Sequence, residues 1–234
     1  MGNNRIPPVK YVTLFPGRTG STYLASHMQA HPQIVSRYEI LGRRATSWDR
    51  QFAMLKELFE TKRDSAFKAI GFKTKIHAVL DRDVFTQYIT DHQFRIIHLV
   101  RRNKLKFIIS VVRAKMLRNA EGVSNIFQQN QEPIGPMEIP VEKFTRATKR
   151  LNVAIRLQRF IDTLDLPKLK IAYEDLLNDE QKTLQAVWDF LDVEHVETQG
   201  VTRKNTPDDV RQAVTNLDEI LQQHPEFEEF VDQD

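Results

Sequence analysis

The chain has 234 residues and no cysteine, so disulfides, thiolate metal sites and cysteine nucleophiles are excluded. It has no apolar run near the roughly 18 residues that a membrane-spanning helix needs. The polar, proline-bearing start over residues 1–10 lacks the apolar core of a signal peptide. These absences favour a cytoplasmic protein, and a trimmed luminal domain would have the same composition.

Charge and histidine spacing restrict the partners further. The formal net charge is +3, which suits anionic small molecules and is too weak to indicate nucleic acid. No run of basic residues is interleaved with aromatic side chains, as a single-strand-binding surface requires. The seven histidines show no metal-ligand spacing. We therefore expect no nucleic-acid partner and no metal ion, and the sequence carries no information on the oligomeric state.

The hydrophobic pattern indicates one domain, residues 1–234, built from alternating strands and helices. Strands are predicted over 10–15, 34–38, 66–72, 94–100 and 169–173. Helices are predicted over 21–30, 49–60, 82–90, 104–118, 141–164 and 175–191, with a last helix starting at Thr206. Residues 120–140 form one long irregular segment, a candidate lid or acceptor loop. The pattern predicts an α/β fold of three layers, similar to that of P-loop NTPases, with a central parallel sheet flanked by helices.

The first polar motif follows the first predicted strand and opens the first predicted helix. It reads FPGRTGST over residues 15–22. Backbone N–H groups at such a turn, together with the positive end of the helix dipole, attract phosphate or sulfate. Arg18 adds a fixed charge, and Ser21 and Thr22 add hydroxyl donors. The motif predicts an anion site, although similar glycine-containing turns occur in α/β proteins that bind no anion there.

The P-loop of ATP and GTP enzymes is the competing interpretation of this motif. A P-loop needs four residues between its glycines, followed by Lys-Ser or Lys-Thr. Here two residues separate Gly17 from Gly20 and no lysine follows. The strand end that would hold a magnesium-binding aspartate carries arginines instead. A nucleotide-dependent kinase therefore stays a second interpretation, and a non-catalytic nucleotide-binding protein a third.

A second polar motif follows the strand predicted over 94–100. Arg101 and Arg102 stand at its carboxyl end, where α/β folds place ligands, and Ser110 lies inside an apolar helix. A serine hydroxyl in such a helix needs a partner, which is either a ligand or the carbonyl of Lys106. Two anion sites at the ends of neighbouring strands suit a ligand with two separated phosphate groups.

Together the motifs resemble the donor site of sulfotransferases that use 3′-phosphoadenosine 5′-phosphosulfate (PAPS). Residues 16–22 resemble the loop that holds the 5′-phosphosulfate, and Arg102 with Ser110 resembles the 3′-phosphate motif. The residues around them are similar to the bacterial branch that includes trehalose and nodulation-factor sulfotransferases. Residues 19–32 also resemble tyrosylprotein sulfotransferases. Weaker likenesses at 71–73, 172–176 and 203–206 extend the resemblance over most of residues 10–215.

The resemblance implies transfer of a sulfuryl group from PAPS to a hydroxyl of a glycan, a small metabolite or tyrosine. The implied donor-binding residues are Arg18, Thr19, Gly20, Ser21, Thr22, Arg102 and Ser110, with Arg101 as a helper and Arg203 and Lys204 over the 3′-phosphate. Residues 203–204 depart from the glycine-bearing version of that segment in cytosolic eukaryotic members. A sulfuryl group carries less negative charge than a γ-phosphate, so protein cations, Arg18 among them, suffice without a metal.

Glu39 is the expected general base of this chemistry. It stands where related enzymes place a carboxylate shortly after the first helix, and there it can accept the proton of the acceptor hydroxyl. The other interpretation is a surface glutamate that pairs with Arg37, Arg43 or Arg44. The sequence alone leaves both open.

Lys73 is the second residue with an expected catalytic role. It closes the segment Gly71-Phe72-Lys73 at a strand end, where its charge can neutralise the bridging oxygen as the sulfuryl group departs. The other interpretation is a solvated lysine in the group formed with Lys68 and Lys75.

Overall fold

The computed structural model describes residues 7–42, 46–61, 64, 66–121, 126–127, 135–203, 207 and 209–233. Its elements, in chain order, are β1 (Val9–Leu14), α1 (Ser21–Ala30), β2 (Ile34–Arg37), α2 (Trp48–Glu60), β3 (Ala69–Thr74), α3 (Arg82–Asp91), β4 (Arg95–Val100), α4 (Lys104–Glu121), β5 (Ile126–Phe127), α5 (Val141–Thr163), β6 (Lys168–Ala172), α6 (Tyr173–Asn178), α7 (Glu180–Phe190), β7 (Thr202–Arg203) and α8 (Leu217–Gln223). They form two compact units, the sheet unit (1–100 and 156–200) and the helical unit (101–155 and 201–234). The prediction of a single domain stays a prediction.

The sheet unit is built on five parallel strands in the order β2-β3-β1-β4-β6. Strands β2 and β3, which follow β1 in the chain, lie on one side of it. Strands β4 and β6, which come later, lie on its other side. In open α/β sheets, ligands bind at the carboxyl ends of the strands where the order changes direction in this way. The loop after β1 lies at that point.

Both faces of this sheet are apolar because helices cover both. One face consists of Val12, Leu14, Ile70, Phe72 and Ile96, packed against α2, α3 and the end of α5 at Leu157 and Ile161. The other face consists of Tyr11, Ala69, Ile97, Leu99 and Ile171, packed against α1, α6 and α7. The predicted central parallel sheet flanked by helices is confirmed.

The helical unit has its own core, formed by α4, the first part of α5, α8 and the 3-10 turn Pro225–Phe230. Buried Asn103 fixes the start of α4, since its Oδ1 accepts from the Lys106 N–H at 2.7 Å. Its Nδ2 donates to the carbonyls of Phe230 at 2.7 Å and Gln233 at 2.9 Å. One side chain therefore caps α4 and ties the C-terminal segment to it.

Two predicted helices differ from the structure. The helix predicted over 175–191 is two helices, because Asp179 leaves the helical conformation and its carboxylate caps α7 at the Lys182 N–H, 3.2 Å away. The helix predicted from Thr206 is also wrong, since α8 begins at Leu217 after a 3-10 turn (Val210–Gln212) that Asp209 caps. Thr206 itself lies outside the described residues.

The segment predicted as irregular over 120–140 begins inside α4, which runs to Glu121. Residues 122–125 and 128–134 lie outside the described part of the chain, so the interpretation as a lid or acceptor loop stays a prediction. The strand predicted over 66–72 lies at 69–74, in register with β1 from Val9 to Leu14. This register brings Lys73 inside the strand.

Gly71 is the position at which the sheet tolerates no side chain. A Cβ there would lie 2.3 Å from the Tyr11 carbonyl oxygen and 2.5 Å from its ring. We expect Gly71→Ala to lower the free energy of unfolding by about 2–4 kcal/mol, because backbone and ring must both shift. Urea denaturation with an unchanged m-value measures this.

Gly135→Ala is the matched control, since no atom lies within 4 Å of the added Cβ. It should change the free energy of unfolding by less than about 1 kcal/mol. Equal effects of the two substitutions would contradict the close approach of Tyr11 to β3.

Candidate active site

The loop between β1 and α1 has an uncommon backbone conformation. Gly17, Arg18 and Gly20 have φ values of 97°, 57° and 71°. The left-handed conformation of Arg18 costs of order 1–3 kcal/mol in conformational free energy, whereas glycine adopts it freely. The chain thus turns sharply enough for the loop to lead directly from the buried strand into the first turn of α1.

The N-terminus of α1 is open to an anion. Its N-cap is Gly20, which has no side chain to accept from the first N–H groups, and no acidic residue stands in the first turn. These N–H groups have no side-chain cap, and together with the helix dipole they favour negative charge. The predicted anion loop therefore has the backbone geometry that anion binding needs.

Tyr173 and Thr19 show how closely this loop is packed. A Cβ on Gly20 would lie 2.4 Å from the Tyr173 ring, which packs against the loop from the start of α6. Thr19 is completely buried, and its Oγ1 has no hydrogen-bond partner among the described residues. A buried hydroxyl without a partner costs about 1–3 kcal/mol, so the loop carries an unsatisfied donor.

Lys73 joins the loop to the neighbouring strand. Its side chain is only 4% exposed, and Nζ donates to Thr22 Oγ1 at 2.9 Å and to Ser21 Oγ at 3.3 Å. The rings of Phe15 and Tyr38 lie 5.2 and 5.0 Å from the ammonium, within cation–π range. Strand β3 thus supplies the loop with the lysine that its sequence lacks.

Burial lowers the pKa of Lys73 to about 8, against the opposing effect of the Glu39 carboxylate, which raises it. Lys75 adds a like charge that lowers it further. Near neutral pH the side chain is still mostly protonated. It is therefore a poorly hydrated cation, held beside two hydroxyls of the predicted anion loop.

Glu39 follows β2 and faces Lys73 of β3 and Lys75, which lies one residue after the end of β3. Its Oε2 accepts from Lys75 Nζ at 2.7 Å, and its Oε1 lies 4.0 Å from Lys73 Nζ. The carboxylate is 35% exposed, so solvent or a substrate can reach it. The structure brings Arg18, Glu39 and Lys73 to the carboxyl ends of adjacent strands β1, β2 and β3.

No family model matches the chain. Over 94% of its length the chain is 25% identical to Nodulation protein H of Rhizobium meliloti, of which it covers 93%. Its structure is similar to that of a sulfotransferase from Alicyclobacillus acidocaldarius, with a TM-score of 0.53 and 14% identity over 98% of this chain and 97% of that one. A mouse sulfotransferase, SULT7A1 complexed with PAP, gives a TM-score of 0.51 and 16% identity over 81% of this chain and 61% of the mouse chain.

The chain has the sulfotransferase fold. The resemblance inferred from the two motifs is confirmed. Within this fold the loop after β1 and the lysine of β3 occupy the strand ends at which the order of the sheet changes direction. The roles of the individual residues stay predictions.

The second motif predicted from the sequence, which consists of Arg101, Arg102 and Ser110, belongs to the helical unit. Arg102 is exposed and directly precedes the Asn103 cap, whereas Ser110 is buried within α4. Arg101, half-buried, follows the last residue of β4, the neighbour of β1 in the sheet. Their predicted contacts with the 3′-phosphate stay predictions.

The side chains of the two remaining predicted donor-binding residues, Arg203 and Lys204, are not described. Lys204 lies outside the described residues, and of Arg203 only the backbone in β7 is described. Among the described residues no three His, Asp or Glu side chains are grouped so that they could hold a metal ion. In the same residues no helix is long and apolar enough to cross a membrane.

Sequence reasoning does not single out Tyr38, Lys75 or Tyr173. Residues two apart in extended backbone share a face, so extending the alternation of β3 by one residue could have placed Lys75 beside Lys73. Tyr173 gives no local signal, because it meets Gly20 only through the pairing of distant strands. Tyr38 precedes Glu39 directly, but its contact with Lys73 depends on the pairing of β2 with β3.

The triad of Glu39, Lys73 and Lys75 makes a prediction that needs no substrate. The Lys73 side chain should titrate near pH 8 in carbon-13 NMR spectra of the labelled protein. Glu39→Gln removes a charge that raises the pKa of Lys73 and should lower it below 8. Lys75→Met removes a like charge and should raise it.

Lys68→Met provides the matched control, since Lys68 pairs at 2.9 Å with Glu194 on the surface. It should leave the Lys73 titration unchanged. A Lys73 pKa near 10.5, or one that neither Glu39→Gln nor Lys75→Met changes, would contradict the placement of these three side chains beside one another.

Proposed function

We propose that the protein is a sulfotransferase that moves a sulfuryl group from PAPS to the hydroxyl of an acceptor. The observation that carries the proposal is the buried ammonium of Lys73, held between the loop hydroxyls and the Glu39 carboxylate. The Lys73 ammonium can there interact with the donor anion and with the general base at the same time. A simple phosphate-binding loop has no need of the carboxylate.

The loop after β1 would hold the 5′-phosphosulfate. Its positive-φ backbone, the uncapped N-terminus of α1, the buried Thr19 hydroxyl and Arg18 all favour an anion. The Arg102 and Ser110 motif would hold the 3′-phosphate, with Arg101 beside it. Support comes from the resemblance of these residues to the 3′-phosphate motif of sulfotransferases.

The reaction then needs one base and one charge at the leaving group. Glu39 Oε1 would take the proton of the acceptor hydroxyl while the hydroxyl oxygen forms its bond to sulfur. The bond between sulfur and the bridging oxygen breaks, and that electron pair stays on the 5′-phosphate. Lys73 would neutralise this developing charge at a buried position, where a fixed cation is worth more than in water.

The relatives support this donor. The mouse structure and the Alicyclobacillus acidocaldarius structure are both of sulfotransferases, and the mouse protein was solved with PAP. We take PAP as the 3′,5′-bisphosphate that remains when PAPS has given up its sulfuryl group. Protein cations suffice for this transfer, so we propose that no metal takes part. The cytoplasmic location stays a prediction.

The acceptor is proposed only as a hydroxyl compound. Glycans, small metabolites and tyrosine all present a hydroxyl that Glu39 could deprotonate, and loops that select acceptors vary while the donor site recurs. A panel of these three classes with sulfur-35-labelled PAPS therefore tests the function and the acceptor together.

In that panel we expect label to move to one class, and Glu39→Gln to lower kcat by about 100-fold or more because the base is lost. At a pH low enough to keep Lys73 protonated in both proteins, PAP should stabilise the wild type and the variant alike, by about 2.7 kcal/mol at 100 times its dissociation constant. Glu194→Gln is the matched control and should keep full turnover, since Glu194 forms the surface pair with Lys68.

Two results would contradict the proposal. Stabilisation by ATP with magnesium that equals or exceeds that by PAP would favour a kinase. Full turnover in Glu39→Gln would remove Glu39 from the mechanism.

A further inference from the structure

We infer that Lys75 is a positioning residue, which holds one oxygen of the Glu39 carboxylate so that the other stays available as the base. This inference rests on the proposed function. It assigns a role to a residue that neither the two motifs nor the resemblance includes.

The contacts of Glu39 distinguish its two carboxylate oxygens. Oε2 accepts a charge-assisted hydrogen bond of 2.7 Å from Lys75 Nζ. Oε1 lies 4.0 Å from Lys73 Nζ, beyond hydrogen-bond distance. One oxygen is therefore occupied, and the other faces the lysine that contacts the loop hydroxyls.

The ion pair between Lys75 and Glu39 is more enclosed than an ordinary surface pair. The two side chains are 26% and 35% exposed, whereas those of Lys68 and Glu194 are 46% and 67% exposed. The Phe15 ring centroid lies 5.3 Å from Lys75 Nζ, within cation–π range. Shielding from solvent strengthens such a pair relative to fully exposed ones.

The backbones that carry the pair are fixed. The Lys75 carbonyl accepts from the Ala78 N–H at 2.8 Å, and the Glu39 carbonyl accepts from the Gly42 N–H at 3.1 Å. Buried Gln51 joins the two segments, because its Nε2 donates to the carbonyls of Leu41 at 3.0 Å and Ala78 at 2.6 Å. The distance between the two side chains is thus set by the fold.

This arrangement serves a base in two ways. Holding Oε2 restricts rotation of the carboxylate, so that Oε1 points toward the place where the acceptor hydroxyl must meet the donor. When Oε1 takes the proton, Oε2 becomes a carbonyl oxygen that still accepts from Lys75. The hydrogen bond therefore persists through the proton transfer.

The experiment is a double-substitution cycle on Lys75 and Glu39 with the labelled donor. Lys75→Met, which keeps the stem and removes the charge, should lower kcat by roughly 10- to 100-fold with the KM for PAPS unchanged. Lys75→Arg should recover most of the loss. In a Glu39→Gln background the same Lys75→Met change should alter kcat less than about twofold, because there is no base left to position.

Three outcomes would overturn the inference while the wild type still transfers sulfate. An equal loss in both backgrounds would give Lys75 a role independent of Glu39. An increase in the acceptor KM alone would make Lys75 an acceptor contact, and unchanged kcat in Lys75→Met would make the pair structural. Failure of the proposed function looks different, since the wild type itself would then show no transfer to any hydroxyl class.

Folding defects are separated by two controls. At a pH low enough to keep Lys73 protonated in both proteins, PAP should stabilise Lys75→Met as much as the wild type, because Lys75 has no contact with the loop hydroxyls in this proposal. Lys68→Met removes the lysine of the exposed pair and should leave kcat unchanged. Loss of PAP stabilisation in Lys75→Met would show that Lys75 acts on the donor and would also overturn the inference.

Discussion

The candidate site depends on keeping one buried lysine charged. An ammonium group taken out of water costs several kcal/mol unless partners replace its hydration. Around Lys73 these partners are two hydroxyls of the loop, a carboxylate 4.0 Å away and two aromatic rings about 5 Å away. None of them fully replaces water, which is why burial leaves the pKa of Lys73 near 8. The group retains its charge at neutral pH and stands ready for a further anion.

The sheet determines which residues surround that charge. Parallel pairing sets Lys73 opposite Thr13 of β1, so the lysine stands just before the loop that β1 enters. Alternation along β3 directs Phe72 toward the core and Lys73 toward the face that carries α1. A shift of register by one residue would exchange these two faces and bury the lysine among apolar side chains.

The fold and part of the site could be predicted from sequence because their signals are local. Helix α1 lies at the predicted residues, and the loop, Glu39 and Lys73 are marked by short motifs. The break at Asp179 was not predictable from periodicity, since an apolar rhythm continues across a residue whose side chain caps the next helix. The contact of Tyr173 with Gly20 and the pair of Lys75 with Glu39 arise only when distant strands pair.

The most direct test of this account is the count of protons taken up when PAP binds at pH 8. In the free protein about half of the Lys73 side chains are then deprotonated, and the negative charge of PAP favours the protonated form. Calorimetry in two buffers of different ionisation enthalpy should therefore give an uptake of about half a proton per bound PAP, which Lys73→Met abolishes. An uptake of zero at pH 8, or the same uptake in Lys73→Met, would contradict the placement of this lysine in the donor site.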